Sequence, residues 1–87
     1  MSGDDDRVPV DTADVWPEDA DAEEAVVVNW FASEGSRVEA GADLLEFQVE
    51  KVSVDVPAPV SGTLVEIALP EDAEFERGAI AAWIRPK

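Results

Sequence analysis

Eighty-seven residues, 46% of them hydrophobic, suffice for one small domain with a single modest core and exclude a large enzyme. The 6 Lys and Arg face 21 Asp and Glu, a formal charge of −15 at pH 7, so neither a phosphate backbone nor an anionic membrane surface would attract the chain. His, Cys and Tyr are absent, which removes the commonest general base, the thiol nucleophile, disulfide staples and the usual ligands of a zinc site.

These absences leave self-contained catalysis without its usual groups and are compatible with a reducing cytoplasm, the expected location. No run approaches the roughly 18 apolar residues of a membrane span, and Met1-Ser2-Gly3-Asp4-Asp5-Asp6 is the reverse of a basic signal peptide. The acidic residues are spread among good apolar runs, as on the solvated surface of a folded protein. With so few lysines, this pattern fits a halophile, whose salt would screen the self-repulsion.

In chain order, residues 1–7 read as a flexible acidic lead-in and 8–87 as one domain. From Val8 onward, apolar runs of four to eight residues recur between Gly, Pro and acidic breaks, without the periodicity of an amphipathic helix. The chain is therefore expected to be all-β, with strands near 8–15, 25–32, 36–38, 44–49, 52–57, 63–69, 73–75 and 80–85. The acidic stretch 17–24 starts at Pro17 and has no apolar face, so it reads as a surface loop.

Sliding the sequence by 37 residues lays Val28-Asn29-Trp30 on Val65-Glu66-Ile67, Val38-Glu39-Ala40-Gly41 on Phe75-Glu76-Arg77-Gly78, and Leu45 on Ala82. Two such copies predict one domain of approximate two-fold symmetry, built from two similar packed sheets.

The stretch 45–56 carries the most information. Apolar residues fall on odd positions before Glu50-Lys51 (Leu45, Phe47, Val49) and on even positions after it (Val52, Val54, Val56). Residues two apart share a face of a strand, so the parity change predicts a hairpin with Glu50 and Lys51 as its two-residue loop. Val49 then faces Val52, Phe47 faces Val54 and Leu45 faces Val56. Each such pair contributes about 0.2–1 kcal/mol, and a one-residue slip would expose them all. Lys51 is placed at the apex, in solvent. Glu-Lys is an unusual choice there, since such loops favour Asn-Gly or Asp-Gly, where positive φ costs little. Only Lys51 and Lys87 are lysines. A chain so depleted in lysine that keeps one at a hairpin tip suggests a reaction at its amine.

Gln48-Val49-Glu50-Lys51-Val52 resembles the Glu-Thr-Asp-Lys-Ala signature of the lipoyl domains of 2-oxo acid dehydrogenase complexes, within the biotinyl and lipoyl carrier family. Val54-Asp55-Val56-Pro57-Ala58-Pro59-Val60-Ser61-Gly62-Thr63 is similar to the segment that follows it. Trp30 through Leu45, with Gly35, Val38 and Gly41, is similar to the Gly-x-x-Val-x-x-Gly passage before it. The resemblance implies a flattened β-barrel of two four-stranded antiparallel sheets, with the modified lysine at one end and the termini at the other.

It also implies lipoate in amide linkage to Lys51, with Gln48, Val49, Glu50 and Val52 as flanking recognition residues. The implied partners are a lipoate-attaching enzyme and the 2-oxo acid decarboxylase, acyltransferase and dihydrolipoyl dehydrogenase components. Having no linker or catalytic domain of its own, the chain is expected to be a freestanding, monomeric carrier that is not itself an enzyme. The alternatives are a biotinyl domain, which commonly has Met on both sides of its lysine, a glycine-cleavage H-like protein, and an unmodified interaction module.

Other patterns are weaker. The glycines match no phosphate-binding loop, and Asp4-Asp5-Asp6 and the 19–24 acids lack a calcium-loop pattern. Trp16, Trp30 and Trp83 are expected in or at the edge of the core.

Overall fold

A computed structural model describes residues 6–87, so most of the expected lead-in lies outside the described residues. Eight strands form: β1 (Val8–Asp11), β2 (Glu24–Trp30), β3 (Arg37–Val38), β4 (Asp43–Val49), β5 (Val52–Pro57), β6 (Gly62–Ile67), β7 (Glu74–Glu76) and β8 (Ile80–Pro86). They make two four-stranded antiparallel sheets, ordered β1-β8-β6-β3 and β5-β4-β2-β7. This is the expected all-β architecture.

The core collects the inward residues of both sheets, with Val27, Leu45, Phe47, Val49, Leu64 and Ile84 fully buried. Trp16 packs on it from outside the strands. Its ring lies 5.5 Å from that of Phe47 and 6.1 Å from that of Phe75, the first pair stacked and the second edge-on. Trp30 and Trp83 are half-buried, as expected of core-edge residues.

The 37-residue repeat is present in the hydrogen bonding itself. Gly35 N–H donates to Leu64 O at 2.7 Å, and the equivalent Asp72 N–H donates to Val27 O at 2.8 Å. Phe31 N–H to Leu44 O (2.8 Å) is repeated as Ala68 N–H to Ala81 O (2.9 Å). The bulges repeat too. The β2–β4 register shifts between Val27 and Asn29, and the β6–β8 register shifts between Leu64 and Glu66. Further bulges leave Leu44 out of the β4–β5 pairing and Ala81 out of the β1–β8 pairing. Each turns two consecutive residues inward: Leu44 with Leu45, and Ala81 with Ala82, all at most 1% exposed.

One expected element changes. The strand predicted over 8–15 ends at Asp11, and Thr12–Val15 form a 3-10 turn. The cause is local polar bonding. The Asp11 carboxylate accepts from Ala13 N–H at 2.9 Å, while the buried Thr12 hydroxyl donates to Ala79 O at 2.8 Å. The 17–24 segment carries no strand or helix up to Glu23, as expected of a loop.

Candidate functional site

Strands β4 and β5 meet in the register that the parity change predicts. Val49 pairs with Val52, Gln48 with Ser53, Phe47 with Val54, Glu46 with Asp55 and Leu45 with Val56. Glu50 and Lys51 form the turn, and Lys51 is exposed at its apex. Among the described residues Lys51 enters no ion pair, so its amine is tied down by no carboxylate. The four strands of its sheet contain no Lys or Arg, whereas Glu24, Glu74 and Glu50, with Gln48, line a shallow depression beside the hairpin. Lys51 is thus a lone positive charge at the end of an acidic sheet.

The apolar side of the hairpin is graded. Val49 is fully buried and Val56 nearly so, Val54 is half-buried, and Val52 at the tip is 45% exposed. Of the four residues flanking Lys51, Gln48, Glu50 and Val52 present surface, while Val49 points into the core. Val49 therefore anchors the tip, and the other three are exposed around the lysine.

The choice of Glu at position 50 has a structural cause. Glu50 adopts φ 56°, one of two non-glycine residues in the left-handed region among the described residues. Its Oε2 accepts hydrogen bonds from Asp21 N–H at 3.1 Å and Ala22 N–H at 2.8 Å. Ala22 is held on its other side, where its carbonyl accepts from Trp16 Nε1–H at 3.3 Å. A closed circuit results: hairpin tip to loop 17–24, loop to Trp16, Trp16 to Phe47, and Phe47 along β4 back to the tip. The composition of 17–24 predicts a surface loop and gives no sign of this connection. The one available signal was a Glu where the turn calls for Gly, Asn or Asp.

Among the described residues no three His, Cys, Asp or Glu side chains converge as metal ligands, and no helix is long and apolar enough to cross a membrane. What the site can do chemically is present one exposed primary amine on a rigid support.

Residues 17–84 match the biotin/lipoyl family model described as "Biotin-requiring enzyme". The chain belongs to this family, whose domains carry covalently attached biotin or lipoate and are carriers, not catalysts. It is 39% identical over 61 residues to the dihydrolipoyllysine-residue acetyltransferase component of the pyruvate dehydrogenase complex of Corynebacterium glutamicum, covering 70% of this chain and 9% of that protein. It is 40% identical over 57 residues to the dihydrolipoyllysine-residue succinyltransferase component of the 2-oxoglutarate dehydrogenase complex of Bartonella vinsonii subsp. berkhoffii, covering 66% of this chain and 14% of that protein. These matches relate it to the lipoyl domains of 2-oxo acid dehydrogenase acyltransferases, of which it spans only a small part. The fold is also that of a segment of a single-chain, multi-domain long-chain acyl-CoA carboxylase, with a TM-score of 0.77 and 17% identity over 95% of this chain and 7% of the carboxylase.

Proposed function

We propose that this chain is a lipoyl carrier, with lipoate in amide linkage to the Nζ of Lys51. The observation that carries the reading is the exposed amine at the apex of a register-fixed hairpin, in no ion pair among the described residues, in a chain whose relatives are dihydrolipoyllysine-residue acyltransferases. Bound lipoate supplies a dithiolane that accepts an acyl group and electrons at one enzyme and yields them at others. The protein supplies the support. Val49 and Phe47 fix the hairpin, Glu50 shapes the turn, and Lys51 gives the arm its root.

In this reading the partners are a lipoate-attaching enzyme and the decarboxylase, acyltransferase and dihydrolipoyl dehydrogenase of a 2-oxo acid dehydrogenase type assembly. Gln48, Glu50 and Val52 are the flanking residues such enzymes would meet. The carrier is taken to be a cytoplasmic monomer, which fractionation and sedimentation would test.

Biotin is the second reading, favoured by the fold shared with a carboxylase. Against it, Glu50 and Val52 flank Lys51 where biotinyl domains commonly have Met, and Met1 is the sole methionine. Incubation with lipoate ligase, lipoate and ATP, in parallel with biotin ligase, biotin and ATP, separates the two. The proposal expects lipoylation of the wild type, none of Lys51→Arg, and no biotinylation of either. Refusal of the wild type by the lipoate ligase would remove its basis.

A further inference from the structure

We propose that Glu50 is a positioning residue for Lys51: its carboxylate latches loop 17–24 to the hairpin, and this latch fixes the direction in which the lysine leaves the turn. The inference rests on the proposed role of Lys51 only for its functional consequence; the latch itself is geometric.

In a two-residue hairpin loop whose first residue has positive φ, Gly is the relaxed choice at that position. Glu50 occupies it at φ 56°, while Lys51 is not in the left-handed region. A long side chain at this point needs a compensating contact, and two are present: the hydrogen bonds from Asp21 N–H (3.1 Å) and Ala22 N–H (2.8 Å) to one carboxylate oxygen. Both are charge-assisted, and both amides belong to a loop segment without strand or helix partners. The Glu50 carbonyl accepts a longer contact, 3.4 Å, from Gln48 Nε2–H. Residue 50 is thus held through its side chain by the loop and through its backbone by β4.

The far side of the loop cannot swing freely either. Trp16 Nε1–H donates to Ala22 O, and the Trp16 ring is buried against Phe47 and Phe75. The peptide at residue 22 is therefore clasped between a core side chain and the carboxylate adjacent to Lys51. The enzyme that loads Lys51 meets a surface made of two chain segments 28 and 29 residues apart, held in register by one side chain.

Two kinds of replacement separate the latch from backbone strain. Glu50→Gly relaxes φ but removes the carboxylate, whereas Glu50→Gln keeps a side-chain oxygen of equal reach. Amide hydrogen exchange at Asp21 and Ala22 is measured on all three proteins, with steady-state lipoylation by lipoate ligase, lipoate and ATP. Glu50→Gly is expected to speed exchange at those two amides about tenfold, with exchange at Val49 unchanged, and to raise KM for the domain several-fold at nearly constant kcat. Glu50→Gln is expected to recover most of both losses.

Exchange at Asp21 and Ala22 unchanged in Glu50→Gly, with ligation equal to or better than wild type, would overturn the proposal, because relief of φ alone gives that result. If the wild type is not lipoylated at all, the lipoyl-carrier reading fails, while the exchange comparison still decides whether the latch exists.

Discussion

Glu34 and Glu71 perform the same task on each other's half of the molecule. Glu34 Oε2 accepts from Ile67 N–H at 2.8 Å, and Glu71 Oε2 accepts from Trp30 N–H at 3.2 Å. Donors and acceptors are both 37 residues apart, so the two bonds are one interaction repeated by the pseudo-two-fold. Each glutamate also precedes a residue in the left-handed region, Gly35 at φ 89° and Asp72 at φ 72°. A turn and a carboxylate together tie each half to the other.

Because the two bonds are equivalent, Glu34→Ala and Glu71→Ala should weaken the fold alike, by about 1 kcal/mol each. In a domain of this size that is a fall in Tm of about 4–8 °C. Thermal unfolding of the single and double variants checks this, and the Gln variants, which keep an acceptor, should lie closer to wild type.

Phe47 is the residue through which the hairpin, Trp16 and Phe75 meet, with its ring 5.5 Å from Trp16 and 5.3 Å from Phe75. Phe47→Ala should cost about 3–5 kcal/mol, most of the stability of a small domain. Denaturant unfolding followed by tryptophan fluorescence should show a midpoint shifted sharply downward.

Gly62 lies in β6 opposite Pro86, and a Cβ there would run into the backbone carbonyl of Arg85 and the Cα of Pro86. Neither can retreat without opening the β6–β8 pairing. Gly62→Ala should therefore cost about 1–3 kcal/mol or more as overpacking. At Gly35 a Cβ would meet open space, so Gly35→Ala should carry only the strain of its positive φ. Comparing the two melting curves tests whether backbone contact is the reason for glycine at 62.

The net charge of −15 is offset by few local pairs, the described ones being Arg7–Glu66 at 3.7 Å and Arg77–Glu23 at 3.8 Å, both at exposed side chains. Added salt therefore has more repulsion to screen than attraction. Unfolding midpoints should rise as potassium chloride is added, which is also what the proposal of a halophilic source expects. A flat or falling response would remove that proposal and leave the carrier reading intact.

The sheet register around Lys51 was legible in the sequence because a half-buried ribbon reports its own pairing: apolar residues share a face at a period of two, and the parity switch at Glu50-Lys51 leaves one consistent alignment. The repeat was legible for a similar reason, since Gly41 and Gly78 mark equivalent turns. What escaped was governed by single polar bonds. Thr12–Val15 has an apolar content compatible with a longer strand, but the Asp11 cap and the Thr12 hydroxyl fold it into a 3-10 turn. The Glu50 latch joins positions 28 and 29 residues apart, and its one local mark, a Glu where the turn favours Gly, Asn or Asp, does not say which segment the side chain reaches. The bulges at Leu44 and Ala81 left no mark beyond two consecutive apolar residues.

The most direct test of the account is the intact mass of the protein purified from its own cells grown with ample lipoate, followed by fragmentation around residue 51. The account predicts one lipoyl group on the protein, with the increment on Lys51. A biotin-sized increment, an unmodified chain, or a lipoyl group on Lys87 would contradict it.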